Sequence, residues 1–192
     1  MKTDAEYIAG LKSNNRQLYA DFVDVFASRI YNVALRILQN KEEAEEVAQD
    51  VFMKIFQSID LFDGSCSLKT WIYRITVNKS LDVLRVRKRK TGWLVLSNFF
   101  YENNEEKIAA VDFKNPIMQM EQKEESEIIF AAIEKLPERQ KAVFVLYQFE
   151  DMSYKEISST LEISVSAVDS LMSRAKKQLR EKLNTLSYGF IR

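Results

Sequence analysis

The sequence predicts an all-α fold, two small helical domains joined by a linker, on the strength of three observations. Four glycines and two prolines in 192 residues leave too few turn-formers for the hairpins of a multi-stranded sheet. Val, Ile and Thr do not fall in alternating runs. Apolar residues recur instead at spacings of three and four through several long segments, the period of one face of a helix. The hydrophobic share of 46% and charged share of 29% are those of an ordinary globular chain, long enough for one large domain or two small ones.

The first long segment, 18–38, spaces Leu18, Phe22, Val25, Phe26, Ile30, Val33, Ala34 and Leu38 as a helix. In the second, Ala44, Val47, Ala48, Val51, Phe52, Ile55, Phe56 and Ile59 form one apolar stripe, opposed by Glu42, Glu43, Glu45, Glu46, Gln49, Asp50 and Lys54. The loop 60–67, with Asp63-Gly64, ends it. A third helix starts near Ser67 and runs through Leu68, Trp71, Ile72 and Ile75; its pattern falters at Asn78-Lys79, which predicts a break or short turn there, and resumes at Leu81 and Leu84. Periodicity is lost after Lys90. Residues 91–126 read as a linker, with an apolar docking segment at Trp93–Tyr101, between domains at 1–90 and 127–192. Structure resumes at Ile128, Ile129, Ala132, Ile133 and Leu136, and Pro137 suits the first turn of a new helix, where its missing N–H costs nothing.

Ser153-Tyr154-Lys155-Glu156 has the form of a capping box, with a hydroxyl for one orphan amide and a carboxylate reaching back three residues later. The helix it begins buries Tyr154, Ile157 and Leu161. The turn Glu162-Ile163-Ser164 leads to a second helix, capped by Ser164 or Ser166, that buries Val168, Met172, Ala175 and Leu179. Ser166, Ala167, Asp169, Ser170, Leu171, Ser173, Arg174, Lys176 and Lys177 are left outside. A short capped helix, a tight turn and a longer helix with a basic distal half match a helix-turn-helix that reads duplex DNA: its first residues reach base edges and its later cations neutralise phosphates. A plain helical hairpin with a solvated basic face is the alternative for this segment.

The formal charge is zero, but it is distributed in blocks: 41–50 is acidic, 85–90 (RVRKRK) purely basic, 102–127 acidic and 164–192 basic, which suggests surfaces with different partners. One cysteine, Cys66, and no histidine exclude an intrachain disulfide, a zinc site and histidine-based catalysis. No glycine loop for phosphates and no nucleophile–base pairing point to an enzyme. No metal or cofactor is expected. The N-terminus lacks a signal-peptide core, and no apolar run is long enough to span a bilayer, so the expected location is the cytoplasm, without membrane insertion. In SLKTWIYRITVNKSLDVLRVRKRK, aromatics interleave with cations, a composition that suits unpaired nucleic acid, whose bases stack on rings while cations track the backbone. Equally, Trp71 suits a core and the basic run a solvated helix end.

Residues 22–90, with AEEVAQDVFMKIFQSIDLFDGSCSLKTWIYRITVNKSLDVLR, and 136–180, LPERQKAVFVLYQFEDMSYKEISSTLEISVSAVDSLMSRAKKQLR, together resemble the two blocks of a bacterial RNA polymerase sigma factor of the small extracytoplasmic-function (ECF) group of the sigma-70 family. The resemblance implies two domains, sigma region 2 and sigma region 4, and a chain that binds core RNA polymerase and directs promoter recognition, DNA melting and transcription initiation. It assigns Glu46, Gln49, Asp50, Phe52 and Lys54 to core polymerase binding. It assigns Lys69, Trp71, Tyr73, Arg74, Asn78, Lys79, Arg85, Arg87 and Lys88 to the minus-ten element and its non-template strand, with Asn78 beside the loop that receives a flipped base. Ser164, Ser166, Ala167, Asp169, Ser170, Leu171, Ser173, Arg174, Lys176 and Lys177 fall to the minus-thirty-five element. The partners so implied are core polymerase, promoter DNA as duplex and non-template single strand, and an anti-sigma factor; the linker is implied to thread the RNA exit region. Two departures stand out: many family members have Gly near Glu162 and basic residues where this chain has Asp169 and Leu171. Asp169 suits a cytosine amino group and Leu171 a thymine methyl, so the target sequence is not that of better-known members.

A helix-turn-helix regulator of an operator accounts for 136–183 but leaves 41–90 without purpose. A protein-only adaptor leaves the basic runs at 85–90 and 174–182 idle.

Overall fold

In a computed structural model of the chain, the described residues are 2–13, 15–98 and 123–184, and among them there is no strand. The helices are α1 (Asp4–Lys12), α2 (Arg16–Leu38), α3 (Lys41–Ser58), α4 (Leu68–Asn98), α5 (Lys123–Glu134), α6 (Glu138–Glu150), α7 (Tyr154–Leu161) and α8 (Val165–Asn184), with one 3-10 turn at Ile59–Leu61.

Caps set most of these limits. The Asn15 side chain accepts from the amides of Gln17 and Leu18, and Asn40 from that of Glu43, so α2 and α3 start where an amide-bearing side chain satisfies their first donors. Three helices stop on left-handed residues that are not glycine: Gln39 (φ 56°), Asp151 (φ 51°) and Glu162 (φ 53°). Each turns its own N–H back to a carbonyl of the last turn, at Leu35, Leu146 and Ser158. Pro137 is the N-cap of α6 rather than a first-turn residue, and its carbonyl accepts the Lys141 amide at 2.9 Å.

α2, α3 and α4 pack on one another, and α5, α6 and α7 pack around α8. The first set buries Phe22, Phe26, Ile30, Val33, Ile37, Val47, Val51, Ile55, Ile72 and Val77; the second buries Ile133, Val143, Leu146, Ile157, Val168, Met172, Ala175 and Leu179. Direct packing of α2 on α6 and of α4 on α7 joins the two sets into one continuous core.

Three expectations change. α4 runs unbroken through the exposed Asn78 and half-buried Lys79: on either side Thr76 and Ser80 are buried, their hydroxyls donating to the carbonyls of Ile72 and Thr76, so polar residues continue the core face of the helix by bonding within it. Helix also occupies both flanks of the linker expected at 91–126, since α4 reaches Asn98 and α5 begins at Lys123. Residues 99–122 lie outside the described residues, as does the end of the Trp93–Tyr101 segment. The N-terminal helix α1 is additional. Thr3 caps it with a full capping box alongside Glu6, whose carboxyl is held below its usual range by hydrogen bonds from Thr3. Gly10 of α1 meets the Leu18 side chain, and the Asp4 carboxylate accepts the Leu68 amide at 3.0 Å, capping α4 from 64 residues away.

Candidate nucleic-acid interface

The helix-turn-helix is α7 and α8. Ser153 Oγ accepts the Glu156 amide at 3.3 Å, and the Glu156 carboxylate accepts the Ser153 amide at 2.8 Å, which closes the capping box. Those bonds hold the Glu156 carboxyl below its usual range, the Ser153 hydroxyl first and its amide next. Ser164, not Ser166, caps α8, its hydroxyl accepting the Ala167 amide at 3.2 Å. Ser158 Oγ donates to the Ile163 carbonyl and fixes the turn.

Val168, Met172, Ala175 and Leu179 are buried on the inner face of α8, as their spacing predicts. Ser164, Ser166, Asp169, Ser170, Ser173, Arg174 and Lys177 are exposed. Three of the expected outward residues are not free. Ala167 is half-buried, Leu171 is half-buried against the core, and Lys176 is half-buried with its ammonium 5.3 Å above the Tyr147 ring. An outward row of hydroxyls followed by cations remains.

On α3, Glu46, Gln49 and Lys54 are exposed. Phe52 is half-buried, its ring edge-on to Phe22 at 6.1 Å, so it packs the bundle more than it faces outward. Phe56, expected in the apolar stripe, is 49% exposed beside Met53, because the stripe buries Ala44, Val47, Val51, Ile55 and Ile59 and drifts off the core at its edges. Asp50 is bonded to Lys79 of α4 at 2.8 Å, which joins two residues expected in different interfaces.

The cations of α4 divide into two groups. Arg85, Arg87 and Lys88 lie on its exposed distal turns, where Arg85 pairs with Asp82 at 2.7 Å and Arg87 with Glu43. The proximal residues turn inward. Trp71 stacks against Phe62 at 5.1 Å, and Tyr73 is buried with its hydroxyl donating to the Glu150 carboxylate. Lys69 donates to the Glu150 carbonyl at 3.0 Å. Arg74 donates to the Ser159 carbonyl at 2.7 Å and pairs with Glu162 at 3.1 Å. Asn78 stands exposed mid-helix, ten residues and hence about 15 Å of rise from the loop that ends at Ser67. No local sequence signal marks Arg36, Lys141, Phe149 or Glu150; the Arg36 guanidinium lies 4.5 Å over Phe149 and 3.6 Å from Glu150, and Lys141 donates to the Ile37 carbonyl at 3.3 Å. Burial lowers the affinity of Arg36 and of Lys141 for their protons.

Family models for sigma-70 region 2 and sigma-70 region 4 match residues 22–90 and 126–179. The ECF RNA polymerase sigma factor SigW of Bacillus subtilis is 31% identical over 193 aligned residues, covering 93% of this chain and 96% of that one. This chain belongs to the ECF sigma factors of the sigma-70 family. The fold agrees: CnrH, solved in complex with the cytosolic domain of CnrY, superposes with a TM-score of 0.69 at 21% identity, covering 96% of this chain and 99% of that one. The sigma factor RpoE from Bartonella quintana, solved with the anti-sigma factor NepR, gives 0.61 at 20% identity, covering 86% and 96%. As an ECF sigma factor the chain binds RNA polymerase and directs promoter recognition and transcription initiation. Among the described residues no helix is long and apolar enough to cross a membrane, and no group of three or more Cys, Asp or Glu is placed to hold a metal ion.

Proposed function

We propose that residues 1–90 form the module that binds core polymerase and melts the minus-ten element, that 91–126 link it, and that 127–192 bind the minus-thirty-five element as duplex. The observation that carries this reading is the outer face of α8, where Ser166, Asp169, Ser170, Ser173, Arg174 and Lys177 are exposed above a fully buried inner row. Hydroxyls and a carboxylate at the helix start suit base edges, and cations further along suit phosphates. Glu46, Gln49 and Lys54 on α3 dock on core polymerase, with Asp50 and Phe52 holding that surface in place. Lys69, Trp71, Tyr73, Arg74, Asn78, Lys79, Arg85, Arg87 and Lys88 serve the opened strand, Asn78 as a contact on the open face of α4 rather than as the wall of a loop pocket.

The chain is not an enzyme in this reading. It works in the cytoplasm without metal or cofactor, and an anti-sigma factor is its regulator, a partner supported by the complexes in which its structural relatives were solved. Run-off transcription from genomic fragments with core polymerase tests the whole: the chain confers initiation at specific sites, and an absence of initiation from every fragment refutes it. Asn78→Ala weakens promoter opening more than duplex binding; equal losses in both remove Asn78 from the strand surface.

A further inference from the structure

Asp169 is a carboxylate without a structural task. An acid on a helix surface ordinarily caps the first amides, pairs with a cation one turn away, or faces the positive pole of the helix dipole. Ser164 already caps α8 through the Ala167 amide. The positions three and four residues to either side of Asp169 are Val165, Ser166, Met172 and Ser173, none of them a cation. Asp169 is the fifth residue of α8, past the first turn in which the dipole acts. Among the described residues it has no hydrogen bond and no ion pair. Its charge is felt by the Tyr154 hydroxyl at the head of α7, which holds its proton more tightly through burial first, then Tyr147, then Asp169.

The fold nevertheless keeps this acid exposed between Ser166 and Ser173, on the row that Arg174 and Lys177 continue. Against duplex DNA that position is unfavourable, because phosphates repel a carboxylate. The major-groove groups that favour one are amino groups. Cytosine offers its N4 donor with no acceptor beside it, whereas adenine sets N7 beside its amino group. Thymine presents O4, and guanine presents two acceptors, O6 and N7. The flanking serine hydroxyls donate or accept and select little. Leu171, half-buried against the core, offers the groove little apolar surface for a thymine methyl.

Resting on the reading of α8 as the duplex-facing helix, we infer that Asp169 sets the base specificity of the minus-thirty-five element by selection and exclusion together: it accepts from a cytosine amino group at one position and bars guanine there. Discrimination, not gross affinity, is what the residue supplies. Its charge weakens binding to every sequence and weakens it least at cytosine. An arginine at the same place takes the guanine edge that the carboxylate rejects, so a helix carrying arginine there and this one require different elements.

The test uses the full chain with core RNA polymerase and a promoter fragment found by run-off transcription, each base pair of its minus-thirty-five element being changed in turn to the other three. Wild-type holoenzyme prefers cytosine to guanine by about 5- to 150-fold at one position. Asp169→Arg inverts that preference to guanine at the same position. Asp169→Asn moves it to adenine, whose N6 and N7 a carboxamide bonds together, and Asp169→Ala flattens it. Preferences at the other positions persist in each variant, which a loss of folding does not produce, since misfolding lowers binding to every fragment alike. Preferences that are the same in wild type, Asp169→Ala and Asp169→Arg at every position overturn the inference. If Arg174→Glu then still lowers affinity and salt slope, α8 remains the duplex reader and only the role of Asp169 falls; if it changes neither, the reading of α8 falls as well.

Discussion

Placing a methyl group on Gly10 tests the docking of α1, the element least visible in the sequence. A Cβ built there lies 2.3 Å from Leu18 Cδ1, 2.6 Å from Leu18 Cβ and 3.0 Å from Leu18 Cγ. The Cδ1 clash yields to a rotamer change, but Cβ is fixed to the backbone of α2, so α1 and α2 must move apart. Overpacking of this kind costs about 1–3 kcal/mol, while Ala in place of Gly inside a helix returns up to about 1 kcal/mol. The clash wins. Gly10→Ala loses about 1–2 kcal/mol, or about 2–8 °C in melting temperature at 2–4 °C per kcal/mol for a chain of this size. Thermal unfolding followed by circular dichroism measures it. Leu18→Gly in the Gly10→Ala background removes the Cβ that cannot move aside, and the interaction term of the double-mutant cycle then favours the pair. A Gly10→Ala chain as stable as wild type or more so refutes the close crossing of α1 and α2, and with it the route by which Asp4 reaches the first amide of α4.

Ser153→Ala removes one half of the capping box of α7 and costs about 1 kcal/mol, read as an earlier denaturation midpoint without a change in slope; an unchanged midpoint sinks the cap as a source of stability. Charge reversal at Arg174 lowers duplex affinity and reduces the salt slope by about one per lost phosphate contact, whereas the same change at Lys176, held over Tyr147, alters the slope less; equal effects contradict the difference in their exposure. Tyr73 has its proton held more tightly than an ordinary phenol, by burial first and by the Glu150 bond next. Its contribution to stability is thus fully present below the ordinary tyrosine value near 10 and fades as pH rises past it toward the raised folded value. Melting temperatures taken from pH 8 to 11 fall more steeply for wild type than for Tyr73→Phe; parallel curves exclude Tyr73 as a source of that loss.

What could be read in advance follows the physics of each signal. The helix-turn-helix was legible because its information is local: a hydroxyl and a carboxylate three residues apart, then Val168, Met172, Ala175 and Leu179 at helical spacing. The same local signal, Thr3 followed by Glu6, marks α1, but no clear apolar stripe follows it to show a helix. Helix ends at Gln39, Asp151 and Glu162 carry no glycine, so left-handed residues there look like any other polar position. The polar run around Asn78 has the look of a break, whereas Thr76 and Ser80 place their hydroxyls on their own helix and stay in the core. The contacts of Arg36, Glu150 and Lys141 were invisible for a different reason: charged residues at helix ends look solvated until a helix from far along the chain is laid against them.

The carboxylate of Asp4 at the head of α4 has a consequence in time. At a synthesis rate of about 5–20 residues per second, Asp4 leaves the ribosome roughly 3–13 seconds before Leu68, the residue whose amide it caps, 64 positions later. Through that interval α1 has its own capping box but no finished bundle to rest on. The N-terminal segment is thus made well before the amide it caps, and its docking on α4 waits until Leu68 has emerged.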